Sequence, residues 1–316
     1  MTFEKPDVII RSSKPKQRFV EELLNTDNNE RMIKMKKILA LALALCMIFA
    51  LCACGSGGKN FSTLKEIQKA GVLTVATSPD FAPMEFVDST KSGQDQYVGF
   101  DITLAQFIAD KMGVELQIDA MSFDACQTAV YTGNVDMSIS GYSWTEERAK
   151  NYDLSDYYYA GENETEQVIL LRAADADKYT SAEDFNGVDV GAQNASLQMM
   201  LVTEQLPDAN AVTIGDINVG VLELQAGNIE ALAVAQGNAN AILVNNPDLV
   251  ICSWQFDVAA EYEANVIMIG KGNQTLLDFV NECLAEAYDA GYYSGWYDDA
   301  VALSESEAAI EVSVEG

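Results

Sequence analysis

Short apolar strands alternate with helices along most of this chain, and this alternation is the feature that most restricts its fold. A strand over 72–77 is followed by helical spacing over 100–112, a strand over 114–118, a helix over 123–131 and a strand over 135–140. Repeated units of this kind predict an α/β fold, with mostly parallel sheets covered by helices.

The alternation restarts after Tyr159, which predicts a second unit of the same type. The predicted elements in this part are strands over 167–171, 188–192, 211–214, 229–235 and 266–269, and helices over 197–206, 219–225 and 276–290. The 316 residues are enough for two medium-sized lobes, each with its own core.

The rarity of arginine makes Arg148 the first candidate for a functional residue. Arg148 and Arg172 are the only arginines after residue 54, in a chain with 48 acidic residues. Arg148 follows the strand over 135–140, so it lies where open α/β sheets bind ligands. A guanidinium can bind a carboxylate through two parallel hydrogen bonds. Alternatively, Arg148 is a solvated residue at a helix start, with Thr145 as the N-cap.

The N-terminal region carries the features of an export signal. Met35-Lys36-Lys37 precedes an apolar run over 38–51, and small residues follow it, as in a secretory signal over 35–53. Leu51-Cys52-Ala53-Cys54 resembles the lipobox of bacterial lipoproteins, which predicts lipidation of Cys54 and a flexible tether over 54–60. A retained membrane helix is the alternative, but the run is short for a span of about 20 residues. Residues 1–34 are interpreted as a mis-assigned start or a disordered leader.

Composition excludes several classes of function. With 19 basic and 48 acidic residues the net charge is −29, so nucleic acid and anionic lipid headgroups are poor partners. Histidine is absent, which removes Ser-His-Asp and Cys-His nucleophiles and histidine metal sites, and no cofactor or metal is predicted. Cys126, Cys252 and Cys283 show no paired spacing and are predicted to be buried small hydrophobic residues, not a disulfide framework.

A series of motifs over about residues 61–300 resembles family 3 of the bacterial extracellular solute-binding proteins, which serve polar amino-acid ABC importers. The motifs, in the order of that family, are Ala70–Thr77, Pro79–Phe86, Gly99–Ile102, Gly133–Asp136, Thr145–Arg148, Leu154–Tyr158, Asp184–Gln193 and Lys271–Leu276. One such motif is a weak signal, but the full series is specific.

The resemblance implies a type II periplasmic-binding-protein fold, with two lobes joined by two hinge strands and the ligand in the cleft between them. Lobe 1 is then about 61–160 plus 262–316, and lobe 2 about 161–261. The expected protein is a monomeric lipoprotein on the outer face of the cell membrane. It would close on a small carboxylate-bearing solute, most simply an amino acid, and deliver it to ABC permease and ATPase subunits.

The resemblance also assigns roles to individual residues. Arg148 matches the arginine that binds the ligand α-carboxylate, and Phe81 and Phe123 match the aromatic pair that holds the ligand side chain, although core packing is the alternative for both. The remaining matches are the lobe 1 loop of Ser140, Gly141, Tyr142 and Ser143 and the lobe 2 loop of Asn194, Ala195 and Ser196. The first loop would offer backbone and hydroxyl groups to the ligand. The second normally reads Gly-Thr and would present a helix start to the carboxylate.

One position departs from the family pattern. The aspartate that normally binds the ligand ammonium at the end of a lobe 2 strand is replaced by Ala235, with Glu230 at the start of that strand. A buried ammonium without a carboxylate is costly. Either the ligand lacks a free α-amine or another group takes over this role; the candidates are Gln236, Asn238, Asp80 and Glu85.

The same resemblance leaves a second class of function open. A dehydratase that acts on cyclic acids is known on this fold, and Glu85 would be its candidate acid. A built-in sensor domain of a receptor is disfavoured, because the sequence shows no permease or kinase segment. The expectation is therefore a binding protein and not an enzyme.

Overall fold

The computed structural model describes residues 61–158 and 166–306. The predicted leader, the signal peptide and the Cys54 tether lie outside these residues, as does the range 307–316. Within the two described ranges, none of the helices combines the length and the apolar character needed to cross a bilayer.

The first of two five-stranded sheets belongs to lobe 1 and has the strand order β5-β1-β6-β13-β7. Its strands are β1 (Val72–Thr77), β5 (Glu115–Ala120), β6 (Met137–Ser138), β7 (Tyr152–Leu154) and β13 (Met268–Gly270). The helices of this lobe are α1 (Leu64–Ala70), α2 (Phe100–Met112), α3 (Phe123–Thr132), α4 (Glu146–Asn151), α8 (Gln274–Asp289) and α9 (Tyr292–Ser304). The pairings of β1 with β5 and β6 are parallel, whereas β13 is antiparallel to β6 and β7.

The second sheet, in lobe 2, repeats this arrangement with the order β10-β9-β11-β8-β12. Its strands are β8 (Gln167–Arg172), β9 (Asp189–Gln193), β10 (Asn210–Ile214), β11 (Ala231–Ala235) and β12 (Leu249–Ile251), and its helices are α5 (Leu197–Gln205), α6 (Ile217–Ala226) and α7 (Gln236–Asn245). Again two pairings are parallel, and the two made by β8 are antiparallel.

The α/β class and the two-lobed architecture are confirmed, but the sheets are mixed where mostly parallel ones were predicted. The physical reason is the same in both lobes. β8 is the first strand after the chain leaves the first sheet, and β13 is the first after it returns. Neither is reached through a crossover helix within its own sheet, so each enters antiparallel to its neighbours. The lobe boundaries near 160 and 261 stay a prediction.

A third, small sheet lies beside lobe 1 and brings Asp80 and Phe81 to the cleft. It pairs β2 (Asp80–Phe81), β3 (Glu85–Val87) and β4 (Tyr97–Val98) in antiparallel fashion. The alternation pattern did not predict this sheet, because its strands are only two or three residues long.

The lobe 1 core is centred on Phe100, which is fully buried. Its ring lies within 6.3 Å of the rings of Tyr158, Tyr293, Trp296 and Tyr297. These aromatic contacts join α2 to α9 and to Tyr158, at the end of the first lobe 1 segment. The sequence pattern did not predict the helix α9. Cys126, Cys252 and Cys283 are free and buried, as predicted.

Candidate functional site

Arg148 lies in the first turn of its helix, as the capping pattern predicted. The Thr145 hydroxyl oxygen accepts a hydrogen bond from the Arg148 backbone N–H at 3.1 Å, at the start of α4. The side chain, however, is not solvated: Arg148 is only 5% exposed. The two interpretations of this residue therefore combine, because the cap fixes the backbone while the guanidinium turns into the protein.

The hydrogen-bond and ring contacts of the guanidinium are with neutral groups. Its Nη1 donates to the Ser143 carbonyl at 2.6 Å and its Nη2 to the Ala195 carbonyl at 2.9 Å. The guanidinium carbon lies 5.6 Å from the centre of the Phe123 ring and 5.3 Å from that of Tyr142. Burial lowers the pKa of Arg148 to about 10, so the group stays cationic at neutral pH.

Among residues 61–158 and 166–306, no carboxylate forms an ion pair with Arg148. A buried cation without an anion is unfavourable, because the neutral carbonyls replace only part of its hydration. The site is therefore electrostatically suited to receive a carboxylate.

A cavity beside Arg148 brings together six of the predicted site residues. It is lined by Phe81, Phe123, Ser140, Gly141, Ser143, Arg148, Gln193, Leu197 and Gln198. Its volume of about 20 Å³ is room for about one water molecule. The cleft is thus closed too tightly to hold an amino acid, and the lobes must separate to admit one.

Three lining residues, Gln193, Leu197 and Gln198, were not predicted from the sequence. Gln193 ends β9, directly before the loop of Asn194, and Leu197 and Gln198 start α5. The rule that ligands bind at the carboxyl ends of strands could have identified Gln193. Leu197 and Gln198 carry no separate signal.

Two polar groups of the lobe 1 loop are hydrogen-bonded to buried carboxylates. The Ser140 hydroxyl donates to Glu85 Oε1 at 2.6 Å, and the Gly141 N–H donates to Asp101 Oδ2 at 2.8 Å. Tyr142 is fully buried behind the cavity, with its hydroxyl 2.9 Å from that of Ser138. In this closed structure these hydrogen bonds hold the loop in shape, and contact of the loop with the ligand stays a prediction.

The lobe 2 loop closes the cleft from the other side. Asn194 Nδ2 donates to Asp124 Oδ2 at 3.0 Å, and the Ala195 carbonyl accepts from Arg148 and, at 3.3 Å, from Gln127 Nε2. Ala195 has φ of 60°, in the left-handed region, which explains why glycine suits this position.

Ser196 occupies the helix start that the family pattern requires. Its hydroxyl oxygen accepts from the Met199 N–H at 3.0 Å and so caps α5. A hydroxyl that accepts one hydrogen bond still has a proton to donate, so Ser196 can also serve a ligand. The predicted helix start is present, although Ser196 does not line the cavity in the closed structure.

The comparisons with known proteins agree with this geometry. Residues 73–299 match the family model for bacterial extracellular solute-binding proteins, family 3. The chain belongs to this family. The solute-binding protein is 32% identical over 265 residues to the arginine-binding extracellular protein ArtP of Bacillus subtilis, covering 81% of this chain and 94% of the relative. It is 27% identical over 260 residues to a probable histidine-binding protein of Campylobacter jejuni, covering 82% of this chain and 96% of the relative.

The fold of this chain is also similar to that of a solved structure of a substrate-binding protein. An amino-acid ABC transporter substrate-binding protein from Streptococcus pneumoniae, crystallised with L-arginine, superposes with a TM-score of 0.70 at 33% identity, covering 76% of this chain and 98% of the other. The family consists of binding proteins, so this chain is a solute-binding protein and not an enzyme, and the dehydratase alternative is set aside.

In the solute-binding protein, Ala235 and Gln236 are among the six predicted residues that do not line the cavity. Ala235 is 1% exposed, ends β11 and presents no polar side-chain group. The Gln236 side chain instead donates to Asn240 Oδ1 at 2.9 Å along α7. In the closed structure α7 starts at Gln236 and carries its side chain along the helix, and direct ligand contact by these two residues stays a prediction.

We expect Gly141→Ala to weaken ligand binding about tenfold, which corresponds to about 1.4 kcal/mol. Gly141 has φ of +57°, and an added Cβ would lie 2.8 Å from Cε1 of Phe81, which must then move from the cavity wall. Gly113→Ala is a matched control, because Gly113 has φ of +76° but nothing within 4 Å of the added atom. Both variants should lose about 1–2 kcal/mol of stability. Calorimetry should show reduced ligand affinity only for Gly141→Ala, and equal affinities would contradict the expectation.

Proposed function

We propose that this protein is the substrate-binding component of an amino-acid ABC importer and binds the ligand carboxylate at Arg148. The observation that carries the proposal is a buried guanidinium with only neutral partners beside a cavity at the lobe interface. The arriving carboxylate replaces the Ala195 carbonyl and forms paired hydrogen bonds with the guanidinium.

Basic amino acids are the first candidates for the ligand. Several relatives are named as arginine-binding or histidine-binding proteins, and solved structures of similar proteins hold L-arginine. The Phe81 and Phe123 rings line the cavity and can pack against the aliphatic part or the cationic end of such a side chain.

Ligand binding requires a cycle of opening and closing. Within the described parts of the chain, six hydrogen bonds join the two lobes in the closed structure. Two run from lobe 2 to Asp80, and one each joins Asn194 to Asp124, Arg148 to Ala195, Gln127 to Ala195, and Asn238 to Ala82. The ligand enters the open form, and the closed, loaded form is presented to the permease.

A thermal-shift and calorimetry screen tests this function. The panel is L-arginine, L-lysine, L-histidine, L-glutamine and small carboxylic acids without an amine. A ligand at 100 times its Kd adds about 2.7 kcal/mol of stability, and each kcal/mol raises Tm by about 2–4 °C in a protein of this size. We expect the basic amino acids to give the largest shifts. Shifts from the simple acids alone would refute an amino-acid ligand.

The site of action is the outer face of the cell membrane, with a diacylglyceryl anchor on Cys54 and a monomeric binding domain. The proposal rests on the signal pattern over 35–53 and on the extracellular family to which the chain belongs. Lipid labelling of the expressed protein tests it, since labelling that persists in Cys54→Ala would rule out this anchor.

A further inference from the structure

Asp80 of lobe 1 is a carboxylate that lies buried at the lobe interface, next to the cavity. It is 6% exposed and directly precedes Phe81, which lines the cavity. Its Oδ2 accepts hydrogen bonds from Gln193 Nε2 and from the Ile217 N–H, both at 2.8 Å, and its Oδ1 accepts from the Ser78 hydroxyl at 2.7 Å. Gln193 also lines the cavity, so one hydrogen bond separates Asp80 from the ligand space.

The surroundings of Asp80 lack a compensating cation. No lysine or arginine in the described parts of the chain forms an ion pair with it. Burial and the nearby Asp216 together raise the pKa of Asp80 to about 7, despite the hydrogen bonds from Ile217 and Ser78 that lower it. Glu85 is a second acid close enough to interact with it. A buried carboxylate in acidic surroundings favours the approach of a cation.

The other candidates for an ammonium partner are occupied or out of reach. Glu85 is fully buried behind Ser140, whose hydroxyl donates to it. Gln236 donates to Asn240 Oδ1, and Asn238 Nδ2 donates to the Ala82 carbonyl at 3.1 Å. Among the described residues, Asn238 Oδ1 has no hydrogen-bond donor, but neither Gln236 nor Asn238 lines the cavity. At Ala235, where the family carries an aspartate, only a methyl group is present.

We propose that Asp80 binds a cationic nitrogen of the captured amino acid and thereby supplies the buried carboxylate that the site lacks at position 235. The inference rests on the proposed function and deepens it. The ligand nitrogen displaces the Gln193 amide from Asp80 Oδ2, while the ligand carboxylate takes the Ala195 position on Arg148. In the loaded site, Arg148 is then paired with the ligand carboxylate, and Asp80 is paired with the ligand cation.

The cationic nitrogen can be the α-ammonium or the side-chain guanidinium, and three ligands distinguish the two. They are L-arginine, L-citrulline, which lacks the side-chain charge, and Nα-acetyl-L-arginine, which lacks the α-charge. Calorimetry at pH 8 compares wild type, Asp80→Asn and the control Asp124→Asn. Asp124 also accepts a hydrogen bond from lobe 2, from Asn194, but does not line the cavity.

In Asp80→Asn the affinity for L-arginine should fall about 30-fold or more. If the α-ammonium binds Asp80, citrulline affinity falls with it and Nα-acetyl-arginine affinity is unchanged. If the guanidinium binds Asp80, the opposite pattern results. Asp124→Asn should weaken all three ligands by the same small factor. An equal loss for all three in Asp80→Asn would overturn the proposal, because Asp80 would then be an interlobe contact only.

A double variant decides the case in which wild type binds only L-arginine. Asp80→Asn combined with Ala235→Asp restores the family aspartate, and arginine affinity should recover at least tenfold over the single variant. No recovery in a folded double variant, judged by circular dichroism and Tm, would overturn the inference. Unchanged arginine affinity in Asp80→Asn would overturn the inference about Asp80 but leave the proposed function standing. A wild-type protein that binds no amino acid refutes the proposed function and this inference with it.

Discussion

Arg148→Ala is expected to abolish measurable amino-acid binding in a protein that still folds. Arg148 is the buried cation beside the cavity, and its guanidinium donates to two carbonyls, of Ser143 and Ala195. Removing one partner of a buried charged pair costs about 2–5 kcal/mol of binding free energy, or about 30-fold or more in Kd. Calorimetry with L-arginine measures the loss, and Tm shows that the fold persists.

Two further variants make this result specific. Arg148→Lys keeps the charge but not the planar fork, so affinity should stay well below that of wild type. Arg172→Ala removes the other arginine of the described residues, which is paired with Asp175 and donates to the carbonyls of Leu224 and Ile229 in lobe 2. It should lower Tm and leave affinity unchanged. Wild-type affinity in Arg148→Ala would place the carboxylate elsewhere.

The sequence predicted the parts of this protein that depend on local pattern. The alternation of strands and helices led to the two-lobed α/β fold, because the period of apolar residues differs between the two kinds of element. The rarity of arginine and the strand end before it led to Arg148. The resemblance added Phe81 and Phe123, which line the same cavity as Arg148.

The sequence did not predict features that arise from contacts between distant segments. Asp101 and Glu85 lie 40 and 55 residues from Gly141 and Ser140, and only the folded chain shows that they hold these residues from behind. The hydrogen bond from Gln193 to Asp80 joins residues 113 positions apart, so no local sequence pattern predicts it. The mixed sheets have a similar origin, since the direction of β8 and β13 depends on where the chain enters each lobe.

Glu85 and Asp101 form a buried acid pair beneath the predicted ligand loop. Glu85 Oε2 and Asp101 Oδ1 have no hydrogen-bond donor, although both residues are fully buried. A single shared proton between the two carboxyl groups would satisfy both oxygens. Burial and the neighbouring Asp101 raise the pKa of Glu85 well above its usual value, and burial raises the pKa of Asp101 as well.

The pair makes stability depend on pH in a defined direction. Because both pKa values are raised in the folded state, the folded protein binds more protons than the unfolded chain once the pH exceeds about 4. The free energy of unfolding should therefore fall as the pH rises from there through the raised folded-state values. Asp80 contributes in the same direction, since its pKa is also raised, to about 7.

Glu85→Gln isolates the part of this pH dependence that comes from the pair of Glu85 and Asp101. A glutamine amide can accept from the Ser140 hydroxyl and donate to Asp101 Oδ1, which replaces the shared proton with one that does not dissociate. Above pH 8 the variant should be more stable than wild type by about 2–3 kcal/mol, the cost of an unpaired buried charged group, or roughly 5–10 °C in Tm. Melting curves from pH 5 to 9 measure this.

The exposed Glu115 on β5 provides the control, because Glu115→Gln removes the same charge from a highly acidic chain without touching the pair. If both variants gain equal stability at high pH, the effect is general charge repulsion and the acid pair has no special role. If only Glu85→Gln flattens the profile, the pair is the titrating element. The loop of Ser140 and Gly141 should then loosen when the pair loses its proton.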